Sequence, residues 1–259
     1  MKVALTVAGS DSGGGAGIQA DILAMAQNGV FATCAIAAMT AQNPGGVRSV
    51  QPASPQFLSD QLESVNSYFK PEAAKCGMLF NAELAGVAAK FFKKNPQIKL
   101  VVDPVMVSTS GSKLLSGGAA EALVKELIPL AELATPNLDE ACAILGCGEI
   151  SAENLERRAR ELSALFKTSV LLKGGHLRGN EIFDALALKG AEDVLVFRSE
   201  RILNVDTHGS GCTLSAAIAA RLALGEDLVS AVENARGYLQ RGMKNPLRAA
   251  GKNFINHFA

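Results

Sequence analysis

A turn of small residues, Asp206-Thr207-His208-Gly209-Ser210-Gly211-Cys212, stands between a strand-like apolar run (VLVFRSERILNV) and a helical pattern, Leu214 to Leu224. The helix is apolar nearly all round, which predicts that it is buried. Glycine lets a backbone approach a ligand with no Cβ in the way. Unpaired amides and the positive end of the helix dipole face any anion placed there. The stretch therefore reads as a phosphate cradle, Gly209, Ser210 and Gly211, with an ionisable thiol, Cys212, at its lip. At a helix N-terminus that thiol is expected to titrate below about 8.5, leaving thiolate accessible near neutral pH. A helix that merely starts after a glycine turn is the plain alternative.

Other polar residues stand where apolar runs stop. Lys173 closes a very apolar strand in SVLLKGGH, a place from which an ammonium can reach nucleotide phosphates as a point charge. Asp103 closes LVVD, and Asn137 and Glu140 follow ELATP. Carboxylate, carbonyl and water ligands suit Mg²⁺. Asn137 and Glu140 also fit a helix start with a capping box, and both roles can coexist. The glycine-rich GSDSGGGAGIQAD (Gly9 to Asp21) fails the dinucleotide pattern G-x-G-x-x-G, because the third glycine counted from Gly13 falls at Ile18. No G-x-x-x-x-G-K-[ST] occurs, which excludes a P-loop. A flexible turn is the plain alternative for this segment. His176 and His208 are expected to be loop residues, and Cys34, Cys76, Cys142 and Cys147 to be buried bystanders.

These residues need a scaffold that gathers strand ends. Apolar runs of strand length alternate with helical patterns, as in VALTVAG before AGIQADILAMAQNG and LVVDPVM before GAAEALVKELIPLA. Such alternation predicts an α/β fold of three layers, a mostly parallel central sheet with helices on both faces. LVVD and SVLLK are continuous apolar runs, as expected of strands covered on both sides. Ligands of such folds bind beyond the carboxyl ends of the strands. At 259 residues, with no linker-like segment or repeat, residues 1–259 are expected to form one domain. The formal net charge is zero, which argues against nucleic acid or an anionic membrane as partner. No window resembles a membrane span or secretory leader. Five cysteines without a Cys-x-x-Cys pair fit reduced thiols in a cytoplasm better than disulfides or zinc.

The order Asp-Thr-x-Gly-x-Gly-x resembles the DTxGAGD signature of ribokinase-like kinases. Their final Asp, the catalytic base, is Cys212 here. In this the chain resembles the hydroxymethylpyrimidine and phosphomethylpyrimidine kinases of thiamine biosynthesis, whose motif ends in Cys. AGSDSGGGAGIQAD resembles that family's first motif, AGxDxxGGAGxQAD, and MTAQN (Met39 to Asn43) its second. Asn137 and Glu140 match an N-x-x-E motif, KGGH has a counterpart, and NFINHF echoes the family's ending. The likeness runs from about Val3 to Leu224.

The resemblance implies a ribokinase-like kinase domain and a set of roles. Gly9 lies under the substrate ring and Asp21 accepts a hydrogen bond from its hydroxymethyl group. Thr40, Met78 and Val105 belong to the substrate side, and Gln42 meets the aminopyrimidine edge with one donor and one acceptor. Asn137, Lys173 and Thr207 serve ATP, Asp103 and Glu140 serve Mg²⁺, and Gly209 to Cys212 serve the reacting phosphoryl group. The implied reaction is phosphorylation of 4-amino-5-hydroxymethyl-2-methylpyrimidine and then of its monophosphate, in a cytoplasmic homodimer. VSTSGSKLLSGG (Val107 to Gly118) is expected to be a lid over ATP. Two other readings stay open: a pyridoxal kinase, and a non-catalytic pyrimidine sensor on the same fold. The phosphate apparatus argues against the sensor.

Overall fold

β1 (Val3–Asp11) is apolar along most of its length because it is covered from both sides. It pairs in parallel with β2 (Phe31–Asn43), to which β3 (Gly46–Pro52) adds an antiparallel edge. On its other flank β4 (Ala73–Cys76), β5 (Lys99–Val102), β6 (Leu133–Ala134) and β7 (Ser169–Leu172) continue the parallel run. β8 (Glu181–Ala187) and β9 (Val194–Glu200) close it as antiparallel strands. The nine-stranded sheet has the order β3-β2-β1-β4-β5-β6-β7-β8-β9, and β10 (Leu247–Ala249) with β11 (Lys252–Phe254) forms a separate hairpin. The computed structural model describes residues 1–106, 118–177 and 179–259.

Among the described residues the α-helices are α1 (Gly17–Gln27), α2 (Pro55–Phe69), α3 (Ala82–Lys94), α4 (Ala119–Ala122), α5 (Leu138–Leu145), α6 (Leu155–Phe166), α7 (Ser210–Ala223) and α8 (Leu228–Lys244). Alternate residues of each central strand feed opposite cores, which is why the strands read as unbroken apolar runs. Ala4, Val101, Leu133 and Leu171 pack under α1, α7 and α8. Leu5, Val7, Leu100 and Val102 pack under α2 to α6 with Leu58, Phe91, Leu123 and Phe166.

Three details of the fold matter to function. β2 extends past Gln42. It runs on through Asn43 because β3 supplies a partner, with a register shift between Ala41 and Gln42. The β1–β2 register also shifts between Ala8 and Gly9, so the tips of both strands are re-aimed together. Lastly, α7 starts at Ser210, not at Leu214, so the cradle is the first turn of the helix itself. Except for Gly118, the expected lid, Val107 to Gly118, lies outside the described residues.

Candidate active site

A cavity of about 580 Å³ opens over the carboxyl ends of the strands, with the start of α7 in its wall. α5 and α8 begin with side-chain caps from Asn137 and Asp227, but among the described residues no side chain caps α7. Ser210 donates its amide to the Thr207 carbonyl at 3.1 Å, and Thr213 reaches back to Gly209 at 2.8 Å. Gly211 and Cys212 fall between them in the first turn, where a helix supplies no acceptor of its own. Both line the cavity, so their amides are available to an anion. Gly209 holds φ +79°, and a Cβ there would stand 1.8 Å from the Gly15 carbonyl oxygen. Only glycine fits that seat.

On one side of the cradle lies a cluster of charge. Lys173 Nζ, at the end of β7, donates to Asp103 Oδ1 at 2.7 Å, and Thr135 Oγ1 donates to the same oxygen at 3.1 Å. Asn137 and Glu140 exchange side-chain and backbone hydrogen bonds at 2.9 and 2.8 Å, closing the capping box. Burial pushes Glu140 up to about 7, against the pull of Lys173, and the nearby Asp103 pushes it further. Burial opposes the Lys173 ammonium, but Asp103 and Glu140 outweigh it and raise its pKa. Two carboxylates thus share one ammonium, an arrangement with room for a second cation. Among the described residues no three His, Cys, Asp or Glu side chains converge as a protein-only metal site. Asp103 and Glu140 therefore fit Mg²⁺, which binds through one or two carboxylates while phosphates and water complete its shell.

The opposite wall is built on the tips of β1 and β2. The Met78 methyl lies over Gly9, where a Cβ would meet it at 2.6 Å. Thr40 Oγ1 donates to the Ser10 carbonyl at 2.9 Å. Ser12 Oγ accepts from the Gln42 amide and donates to the Gln42 carbonyl, both at 2.7 Å, which fixes the backbone of that residue. The Gln42 side chain reaches to 3.2 Å from His208 Nε2, which lies 3.0 Å from Asp11 Oδ2. Burial works to raise Asp11, but His208 and the Gly13 and Ala16 amides hold its carboxyl below the usual range. Val105 and Thr207 also line the cavity.

Residues 11–256 match the family model described as phosphomethylpyrimidine kinase. This chain belongs to the phosphomethylpyrimidine kinase family. It is 40% identical over 262 residues to the hydroxymethylpyrimidine/phosphomethylpyrimidine kinase of Haemophilus influenzae, a match covering 100% of this chain and 97% of that one. Among solved structures, Bacillus subtilis pyridoxal kinase in an ADP complex superposes with a TM-score of 0.90 at 34% identity, covering 99% and 97% of the two chains. Phosphomethylpyrimidine kinase from Clostridium difficile 630 gives 0.81 at 38% identity, covering 93% and 99%. The kinase fold and family are those that the sequence motifs implied.

For a phosphomethylpyrimidine kinase, two expectations need correcting. Asp21 is fully buried and does not line the cavity. Its oxygens accept from Lys75 Nζ at 2.9 and 2.8 Å and from Thr6 Oγ1 at 2.6 Å, so it does not present a free acceptor to a hydroxymethyl group. Nor is the Cys212 thiol acidified. Burial pushes it up to about 11, with Lys75 pulling it down and Asp21 and Asp103 pushing it further up. A helix terminus contributes at most about 2 kcal/mol, and desolvation of a thiolate outweighs that.

Three side chains of this phosphomethylpyrimidine kinase site escaped the motif reading. Lys75 has no exposed surface, yet it edges the cavity and its charge acts on Cys212. Burial disfavours its ammonium, but Asp21 outweighs that and raises its pKa. A lone lysine inside the apolar strand AAKC was the available signal, since such a charge must have a buried partner. Asp11 and His208 come together across 197 positions of chain, and no local pattern pairs them.

Proposed function

We propose that this enzyme transfers the γ-phosphoryl group of ATP to the hydroxymethyl oxygen of 4-amino-5-hydroxymethyl-2-methylpyrimidine, then phosphorylates the monophosphate to the diphosphate. It does so within thiamine biosynthesis, as a cytoplasmic homodimer. The observation that carries the reading is the uncapped start of α7, set between the Gln42 wall and the Lys173, Asp103 and Glu140 cluster. A pure pyrimidine sensor has no use for that second wall.

Phosphoryl transfer has a loose transition state and asks mainly for position and charge neutralisation. The Gly211 and Cys212 amides receive the oxygens of the transferring group, and Lys173 adds positive charge beside them. Asn137 and Thr207 border the nucleotide phosphates. Asp103 and Glu140 would hold Mg²⁺, which would supply positive charge to offset that of the phosphates. Gly9, Met78, Val105 and Thr40 enclose the pyrimidine ring, and Gln42 meets its amino edge. Cys212 takes the hydroxyl proton late, as the new P–O bond forms. Lys75, beneath it, favours the thiolate. Asp21 keeps Lys75 charged and in place.

Phosphorus NMR of purified protein with Mg-ATP and the aminopyrimidine alcohol tests this reading. The monophosphate and then the diphosphate are expected. ATP consumption with pyridoxine but not with the aminopyrimidine would replace the substrate assignment, and binding without any product would make the protein a sensor.

A further inference from the structure

Among the described residues, His208 Nε2 lies 3.0 Å from Asp11 Oδ2 and 3.2 Å from the Gln42 carboxamide, whose nitrogen is placed toward it. One imidazole nitrogen cannot donate to the first and accept from the second. Asp11 decides which it does. Its Oδ1 accepts from the Gly13 amide at 2.8 Å, and its Oδ2 from Gly15 at 3.2 Å and Ala16 at 2.9 Å. A carboxyl surrounded by donors is an acceptor only, so Nε2 must carry a hydrogen. The Gln42 group turned toward that N–H must then be its oxygen, because a second NH₂ would set donor against donor. Carboxamide oxygen and nitrogen exchange by a half-turn of the side chain, so the network decides their placement.

We infer that Asp11 and His208 fix the polarity of the Gln42 carboxamide, with Oε1 beside His208 and Nε2 free to donate into the cavity, and so select the amino form of the pyrimidine. The Gln42 oxygen keeps a second lone pair for an exocyclic amine, and Nε2 donates to the adjacent ring nitrogen. The 4-oxo counterpart reverses both partners. It offers a carbonyl where the amine was and an N–H where the bare ring nitrogen was. To read it, Gln42 must turn over and point NH₂ at the His208 N–H. Ser12 holds the Gln42 backbone, so the residue cannot shift to avoid the clash. Discrimination between these forms therefore originates in Asp11, which acts on Gln42 through His208. This selectivity rests on the proposed aminopyrimidine reading, whereas the protonation state of Nε2 does not.

Two measurements separate those layers. Nitrogen-15 NMR of ligand-free protein, with His208 assigned by its loss in His208→Leu, is expected to show Nε2 protonated. An unprotonated Nε2 overturns the inference whatever the enzyme phosphorylates. The second measurement is kcat/KM for the 4-amino substrate and its 4-oxo counterpart. In His208→Leu the amide is free to turn, so the amino-to-oxo preference is expected to fall about tenfold or more, with KM for ATP unchanged. His208→Gln places an NH₂ near the Nε2 position and is expected to restore most of the preference, which a merely structural role would not require. A preference that survives in His208→Leu overturns the specificity role. Failure of the wild type to phosphorylate the amino substrate would overturn the substrate reading and this selectivity with it, leaving the NMR result to judge the Asp11–His208 contact alone.

Discussion

If the Cys212 thiolate accepts the hydroxyl proton, the pH dependence of turnover should reveal it. With the thiol near 11, only about one molecule in ten thousand carries thiolate at pH 7. A base of pKa 11 is intrinsically stronger than a carboxylate near 4. With a Brønsted slope of about 0.5, those seven units return roughly a factor of three thousand. Scarcity and strength nearly cancel, so Cys212→Asp is expected to keep kcat within about tenfold of wild type at pH 7. Cys212→Ala, with no acceptor, should lose about a hundredfold. The two active forms differ in how they respond to pH. The thiolate population grows about tenfold per pH unit below its pKa, whereas an aspartate is already ionised above pH 6. The ratio of wild-type kcat to that of Cys212→Asp should therefore climb about a hundredfold from pH 6.5 to 8.5. Taking the ratio cancels the titration of ATP and Glu140, which both enzymes share. Steady-state coupled assays at saturating Mg-ATP and pyrimidine suffice. A ratio independent of pH would show that the proton leaves by another route and that Cys212 only binds or packs.

Lys75→Met leaves Asp21 buried without its cation and should destabilise the fold by about 3–5 kcal/mol. The double variant Lys75→Met/Asp21→Leu should recover most of that stability in a urea titration, yet stay slow at pH 7 because the ammonium under Cys212 is gone; full recovery of kcat would make the pair purely structural. Glu140 binds a proton in the folded state up to about pH 7 but loses it near 4.5 when unfolded, so stability should fall as pH rises across that window. The loss is about 3 kcal/mol, and Glu140→Gln, which keeps the capping box, should abolish it in melts at pH 5 and 8 while raising the Mg²⁺ requirement. Lys173→Met should raise KM for ATP with little change in pyrimidine affinity by calorimetry; a loss confined to pyrimidine would place Lys173 on the wrong side of the cradle. Gly209→Ala should abolish turnover, because a Cβ cannot occupy the space beside Gly15 without displacing the first turn of α7; near-normal kcat would show that the cradle tolerates that displacement.

The sequence by itself determined whatever depends on near neighbours in the chain. Unbroken apolar runs alternating with amphipathic patterns specify a parallel sheet with helices on both faces, because both signals have a local period. The Asp206 to Cys212 turn and the Asn137–Glu140 capping box are also local, and the groups that make each lie within a turn of one another. Tertiary structure decided what depends on distant segments meeting. Cys212 acquires its raised pKa from burial and from the charges of Asp21 and Asp103, against the pull of Lys75, and all three residues come from distant parts of the chain. Asp21 looked like a substrate ligand within its motif and became the buried partner of a lysine 54 positions away. Asp11, Gln42 and His208 meet only where the tip of β1, the extended end of β2 and a loop converge. A motif records which groups are present, but solvation, charge and hydrogen-bond direction belong to the assembled site, because each is set by whichever atoms happen to surround it.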